Sequence, residues 1–163
     1  MSTPADSEPE AYEGLELPTR FRRGKPGGRP GIAISDLEMM PEPAERVPIT
    51  YIDYAPDRVE THEVADVDEF IQSRRPDWVA VRWINVDGLN DPAVLRALAI
   101  KYGLHPLAIE DMVHVCQRPK VEPYPAADGR PAHLFLIVRL PALAGAKLAS
   151  VQISMVIQRR TIA

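Results

Sequence analysis

The chain has 163 residues, of which 45% are hydrophobic, and this is enough for one domain with a packed core. Its formal net charge of −4 at pH 7 provides no basic field, which argues against nucleic acid as a general partner. Apolar runs such as residues 134–138 stop at about five residues, short of the ~20 that a membrane-spanning helix requires, and a single cysteine, Cys116, excludes an internal disulfide framework.

Residues 1–46 are predicted to form a disordered or extended, Pro/Gly-rich charged tail. Eight of the 17 prolines precede residue 49, five acids and no base lie in residues 2–17, and five bases are interleaved with Gly and Pro over residues 20–31. Neither charged stretch has a helical or strand period. We therefore place the folded domain in residues 47–163.

The first predicted elements are a hairpin and a short helix. Residues 49–54 are β-branched and aromatic, and a second strand is expected around residues 62–64 after a turn-like segment. Asp66 is positioned to open a short helix that stops by Pro76. Residues 78–86 are apolar at both alternating positions, which is typical of a central strand covered on both faces.

Two helices are predicted next. Asp91 can cap the first, Pro92 suits its first turn, and Gly103 ends it. Pro106 then suits the first turn of a second, shorter helix that runs to about Val113.

A proline-bearing loop over residues 115–130 leads to two further predicted strands, 133–140 and 151–158. The second alternates, so one face is expected to pack on the core and the other to meet solvent or a partner. Its apolar positions are Val151, Ile153, Met155 and Ile157, and its polar ones are mainly Gln152, Ser154 and Gln158. Residues 161–163 open a last strand that we expect to be incomplete, as in a fragment. The order of elements predicts an α/β domain with a mixed β-sheet layered with helices.

Glu110 and Asp111, on the second helix, are the candidate metal ligands. Mg²⁺ takes carboxylate oxygens and keeps several waters, so one or two carboxylates suffice for a weak site. Neighbours on a helix point about 100° apart, so the two acids would serve two different ion positions. Each position would need further oxygens from another segment or subunit. By residue type alone, such a pair is more often a solvated helix face.

Zinc is commonly bound by histidine and cysteine side chains, and the sequence has His105, His114 and Cys116 close together. Their spacing fits no usual zinc motif. We interpret His105 as a capping or turn residue and Cys116 as an ordinary small loop or core residue. A nucleophilic Cys116, activated by His114 and held by Asp111, is the corresponding enzymatic hypothesis. No nucleophile-elbow, phosphate-binding or dinucleotide-binding motif accompanies it, so we do not expect an enzyme.

Three blocks of sequence resemble the CorA family of magnesium and cobalt transporters, in the family's order and spacing. They are WINVDGL at residues 83–89, YGLHPLAIED at 102–111 and QRPKVE at 117–122. The resemblance extends to residues 134–139 and 151–157 and covers roughly residues 47–163. It implies a cytoplasmic α/β domain of a homopentameric channel, truncated before the stalk helix, the two transmembrane helices and the Gly-Met-Asn pore signature of that family.

In that family, the acids of the Leu-x-x-Glu-Asp block help to bind regulatory Mg²⁺ near subunit interfaces, and they correspond here to Asp111 and Glu110. The resemblance therefore implies a self-associating domain that senses Mg²⁺, with Co²⁺ as an alternative ion, and gates a channel without transporting ions itself. Arg118 and Lys120 are expected to orient or partly neutralise the acids. The facing carboxylate of the interface site belongs to the family's stalk helix, which this sequence lacks.

Two alternatives stay open at this point. One is the equivalent domain of a zinc transporter of the same superfamily, which this portion of sequence does not separate from a magnesium transporter. The other is a structural domain that only assembles subunits. In the full-length protein the expected location is the cytoplasmic face of the cell membrane, and the fragment alone would be cytosolic.

Overall fold

Seven strands and four helices make up the part of the chain that the structure describes. The computed structural model describes residues 30–40, 46–114, 117–144 and 147–163. The strands are β1 Ile49–Ala55, β2 Arg58–Glu63, β3 Val81–Val86, β4 Lys120–Tyr124, β5 His133–Ala144, β6 Lys147–Gln158 and β7 Thr161–Ile162. The helices are α1 Ile34–Glu38, α2 Val67–Gln72, α3 Pro92–Tyr102 and α4 Pro106–Val113.

The described strands form one sheet in the order β2-β1-β3-β7-β6-β5-β4. Strands β3 and β7 run parallel, whereas the other neighbouring pairs are antiparallel. The sheet is therefore mixed, and the predicted α/β fold with a mixed sheet is confirmed. The predicted hairpin of β1 and β2 is also confirmed, with a second strand that begins earlier, at Arg58.

Side-chain caps fix the starts of α2 and α3, as the sequence predicts. The Asp66 carboxylate accepts hydrogen bonds from the amides at the start of α2, and Asp91 does the same for α3 at 3.0 and 3.2 Å. Gly103 follows α3 with φ +60°, a left-handed conformation that suits glycine at a helix end. The boundary between α3 and α4 is therefore encoded locally.

The helices pack on one face of the sheet. The core residues of this layer include Leu98 and Ala99 of α3, Ile109 and Met112 of α4, and Ile84, Phe135, Ile137 and Val156 of the sheet. Burial of each large apolar side chain contributes about 1.5–3 kcal/mol, so this layer holds α3 and α4 against the strands.

The opposite face of the sheet is apolar and open in the described residues. Trp83 of β3 is 45% exposed and Ile153 of β6 is 36% exposed, whereas Arg82 and Ile84 on the helix side of β3 are buried. The prediction that this central strand is covered on both faces is therefore wrong for the described chain. An apolar pattern on both faces indicates only that burial of each face would be favourable, and it does not show whether another element covers each face.

Strand β6 turns its mostly polar face toward the helices. Val156 on that face is 3% exposed. The Nε2 atoms of Gln152 and Gln158 donate to the carbonyl oxygens of Asp111 and Tyr102, at 3.3 and 2.6 Å. Carbonyls in the last turn of a helix lack intrahelical partners, so the two glutamines satisfy the ends of α4 and α3. The apolar alternation of β6 lies on the open face.

Two segments differ from the predictions. Helix α1 lies within the predicted tail of residues 1–46, yet its Leu37 is 2% exposed and belongs to the core; a helix of five residues is too short to show a period. Strand β4 lies within the predicted loop of residues 115–130, because an edge strand tolerates Pro123, which has no N–H to donate. Residues 1–29 and 41–45 lie outside the described residues, so the tail stays a prediction there.

Asp53 of β1 and Arg82 of β3 form an ion pair within the helix-covered side of the sheet. Arg82 donates two hydrogen bonds to the carboxylate oxygens, at 2.6 Å each, and the residues are 1% and 3% exposed. The guanidinium carbon lies 4.3 Å from the ring centroid of Tyr51. Hydrogen bonding to Asp53 raises the pKa of Arg82, so the arginine keeps its charge in the interior.

Replacing Asp53 with Asn is expected to lower the free energy of unfolding by about 3–5 kcal/mol, because it leaves the Arg82 charge buried without its counterion. Urea denaturation measures the change. The control is Arg58→Gln, which breaks the exposed Arg58–Glu60 pair and is expected to cost less than about 1 kcal/mol. Equal costs for the two variants would contradict a structural role for the buried pair.

Candidate functional site

Helix α4 presents the two candidate acids on its partly exposed side. The His105 ring accepts a hydrogen bond through Nδ1 from the Leu107 amide at 3.2 Å, which caps the helix as predicted. Ile109 and Met112 are buried, and they hold the other side of α4 in the core. Glu110 and Asp111 are both half-buried, and each has a different partner.

Asp111 forms an ion pair with Lys120 of β4. The ammonium nitrogen lies 2.7 Å from Asp111 Oδ2 and 2.8 Å from Glu122 Oε1. Tyr124 donates from its hydroxyl to the other oxygen of Glu122 at 3.0 Å. Residues 120, 122 and 124 alternate along β4 and so share one face, which turns toward α4. Glu122 was not singled out from the sequence, because its proximity to Asp111 depends on the pairing of β4 with β5.

The charges of this cluster support one another. Burial disfavours the charged form of Lys120, but hydrogen bonds to Asp111 and Glu122 outweigh it and raise the pKa of the lysine. The hydrogen bond from Lys120 lowers the pKa of Glu122. Burial, together with the neighbouring Glu122, raises the pKa of Tyr124 to about 12. At neutral pH Lys120 is therefore an ammonium, Glu122 a carboxylate and Tyr124 a neutral phenol.

Glu110 is engaged by the chain's own N-terminal part. The Gly31 amide donates to Glu110 Oε2 at 2.7 Å, across 79 positions of sequence, and the Ile32 amide donates to the Pro106 carbonyl at 3.1 Å. Gly31 has φ +91°, and a Cβ there would lie 3.0 Å from Pro106 Cβ. Only glycine fits this close crossing without strain. We call residues 30–38 the N-terminal strap, because they cross α4 here and continue into α1.

The remaining sequence candidates separate into different places. Arg118 is exposed, and no ion pair between it and the two acids occurs among the described residues. The His114 ring follows α4 and is half-buried. Cys116 lies outside the described residues, so its interpretation as a loop or core residue, as a zinc ligand or as a nucleophile stays open.

His133 was not identified from the sequence. It is 6% exposed, and its ring stacks on Tyr124 with centroids 5.1 Å apart. The His105 ring also stacks on Tyr124, with centroids 4.5 Å apart. These aromatic contacts tie β4 to β5 and to the start of α4. No sequence signal could find them, since the three residues come from separate segments.

The carboxylates of Glu110 and Asp111 suit a hard cation, but within one chain they have different partners and do not form a shared site. Carboxylate oxygens are the usual ligands of Mg²⁺. Within the described ranges, no three His, Cys, Asp or Glu side chains form a group that could hold a metal ion. Glu110 and Asp111 are each already engaged by an internal donor. A bound ion would therefore take its remaining oxygens from water, from Glu122 beside Asp111, or from outside the described residues.

No protein-family model matches the chain. Over 74 residues it is 32% identical to the cobalt/magnesium transport protein CorA of Thermotoga maritima. The match covers 45% of this chain and 20% of that protein, so the chain corresponds to about a fifth of the relative's length. The similarity is therefore partial and supports a CorA-related domain. Among the described residues, no helix is both long and apolar enough to span a membrane.

Removing the Glu110 carboxylate is expected to loosen the N-terminal strap. In Glu110→Ala the Gly31 amide loses a charge-assisted hydrogen bond, whose worth of about 1.5–3 kcal/mol corresponds to roughly 10- to 100-fold faster amide exchange by local opening. Hydrogen–deuterium exchange resolved at Gly31 measures this. Glu69→Ala, on the exposed side of α2, is the control, and an unchanged Gly31 rate in Glu110→Ala would contradict the assignment.

Proposed function

We propose that this chain is the metal-sensing part of a CorA-type divalent-cation transport protein. In this proposal the domain binds Mg²⁺, with Co²⁺ as an alternative ion, at the subunit interfaces of a homopentamer on the cytoplasmic face of the membrane. It regulates a channel and does not catalyse a reaction. The partial similarity to the cobalt/magnesium transport protein supports this assignment.

The observation that carries the proposal is the setting of Asp111. Its side chain is 18% exposed and already holds a cation, the Lys120 ammonium, at 2.7 Å. The carboxylate is therefore fixed at the surface of α4 in a place that accepts positive charge. Its backbone is also held, because Gln152 binds the Asp111 carbonyl. A fixed carboxylate loses little freedom when it binds an ion, which favours a weak but definite site.

Gating follows from electrostatic repulsion between acids of neighbouring subunits. Asp111 would share an ion with a carboxylate of the adjacent subunit, and a bound Mg²⁺ supplies the positive charge that offsets their repulsion. When the ion leaves, the two carboxylates repel each other and the interface loosens. A sensor has to release its ligand, so a millimolar affinity, about −4 kcal/mol, is appropriate. Glu110 would provide a second position once it releases the Gly31 amide.

A structural assembly domain is the second candidate. The open, apolar face of the sheet, with Trp83 and Ile153 exposed, favours it, because contiguous apolar surface is typical of association sites. Such a domain would form oligomers that are indifferent to divalent ions. The two candidates therefore differ in the response of association to metal.

Sedimentation velocity on the full chain, with Mg²⁺ raised through the millimolar range at constant ionic strength, tests the sensor. The wild type is expected to associate further as Mg²⁺ rises, and Asp111→Asn is expected to lose most of this dependence because it removes the bridging charge. Asp57→Asn, in the turn between β1 and β2, is the matched control. Identical responses of wild type and Asp111→Asn would refute the role of Asp111, and association without any ion dependence would favour the assembly domain.

A further inference from the structure

The Lys120 ammonium already binds Asp111, the carboxylate proposed above to bind Mg²⁺. Its nitrogen lies between carboxylates of two different elements, 2.7 Å from Asp111 on α4 and 2.8 Å from Glu122 on β4. It also lies 5.9 Å from the ring centroid of Phe135, a buried residue of β5. The lysine is therefore held in place on three sides and is 25% exposed.

We propose that Lys120 is a tethered competitor that lowers the affinity of Asp111 for Mg²⁺ and so sets the concentration at which the site fills. This inference rests on the proposed function. To bind the ion, Asp111 has to give up the ammonium, which stays on Glu122. Lys120 thereby keeps a partner when it is displaced, so the exchange leaves no charge buried alone.

The charge of the cluster gives the direction of the effect. With Lys120 present, Asp111, Glu122 and the ammonium carry a net charge of −1, and without it the two carboxylates carry −2. A doubly charged cation is attracted more strongly to the second arrangement, and it no longer meets a positive neighbour. Lys120 thus acts on Mg²⁺ affinity through Asp111, without binding the ion itself. Glu122 contributes to this effect because it holds the displaced ammonium and adds negative charge beside Asp111.

The test is a Mg²⁺ titration of the full chain, followed by amide NMR at residues 110–122, with ionic strength held constant. Lys120→Gln is expected to bind Mg²⁺ about three- to tenfold more tightly than the wild type, in keeping with the loss of one partly exposed competing ion pair. Lys120→Arg keeps the charge and is expected to restore an affinity near that of the wild type. Adding Glu122→Gln to Lys120→Gln is expected to remove part of the gain.

Arg58→Gln is the matched control, because it removes one positive charge from the Arg58–Glu60 pair of β2, at the sheet edge opposite to β4. It is expected to leave the titration unchanged. Equal tightening in Arg58→Gln and Lys120→Gln would overturn the proposal, since the effect would then come from net charge. An equal response in wild type and Lys120→Gln, including no response in either, would also overturn it.

Asp111→Asn separates this inference from the proposed function. If Asp111→Asn abolishes the titration but Lys120→Gln does not tighten it, the sensor role stands and the competitor role fails. If Lys120→Gln tightens binding equally with Asp or Asn at position 111, Asp111 is not the ligand and both fail. Thermal unfolding of each variant, followed by circular dichroism, verifies that these comparisons are made between folded chains.

Discussion

The pairing of β3 with β7 is the constraint on which the described architecture depends, and Arg82 lies at its centre. The Arg82 side chain binds Asp53 of β1, while its backbone amide donates to the carbonyl of Arg160, next to β7, at 3.0 Å. Arg75 adds hydrogen bonds to the Arg160 carbonyl and to the hydroxyl of Thr161. Helices α3 and α4 and strands β4 to β6 all lie in the connection that this pairing closes. The pairing of β3 with β7 therefore brings the elements that carry the site back to the sheet.

The site itself is a set of compensated charges. Asp111 is balanced by Lys120, and Glu110 accepts a hydrogen bond from the strap through the Gly31 amide. Because an unpaired carboxylate at a half-buried position costs free energy, the folded chain provides each acid with an internal donor. A metal ion therefore has to exchange with an existing partner, and the resident contacts become part of the binding equilibrium.

One face of the sheet is covered by the helices and contains several polar side chains, whereas the other face is apolar and not covered by the described residues. On the covered side, Gln152 and Gln158 serve the ends of two helices, and Asp53 and Arg82 neutralise each other. On the open side, exposed apolar side chains such as Trp83 remain in contact with water, which is unfavourable. These polar residues of the sheet therefore bind specific protein groups, and a polar face of a strand here is not the face that meets solvent.

The sequence by itself determined the local features, because their physical causes lie within a few residues. The caps at Asp66, Asp91 and His105, the helix end at Gly103 and the alternation of β6 all predicted elements that the structure contains. The acid pair on α4 was also found in this way, and the motifs around it carried the resemblance to CorA. Whether the pair binds metal stays a prediction.

Only the tertiary structure decided which groups meet. Alternation along a strand separates two faces but does not say which one the helices cover, so the covered face of β6 and the exposure of Trp83 could not be read from the pattern. The contacts of Glu110 with Gly31 and of Lys120 with both Asp111 and Glu122 join separate segments. Such contacts depend on strand pairing and on one segment crossing another. Both join residues that are far apart in sequence, and local sequence patterns do not reveal them.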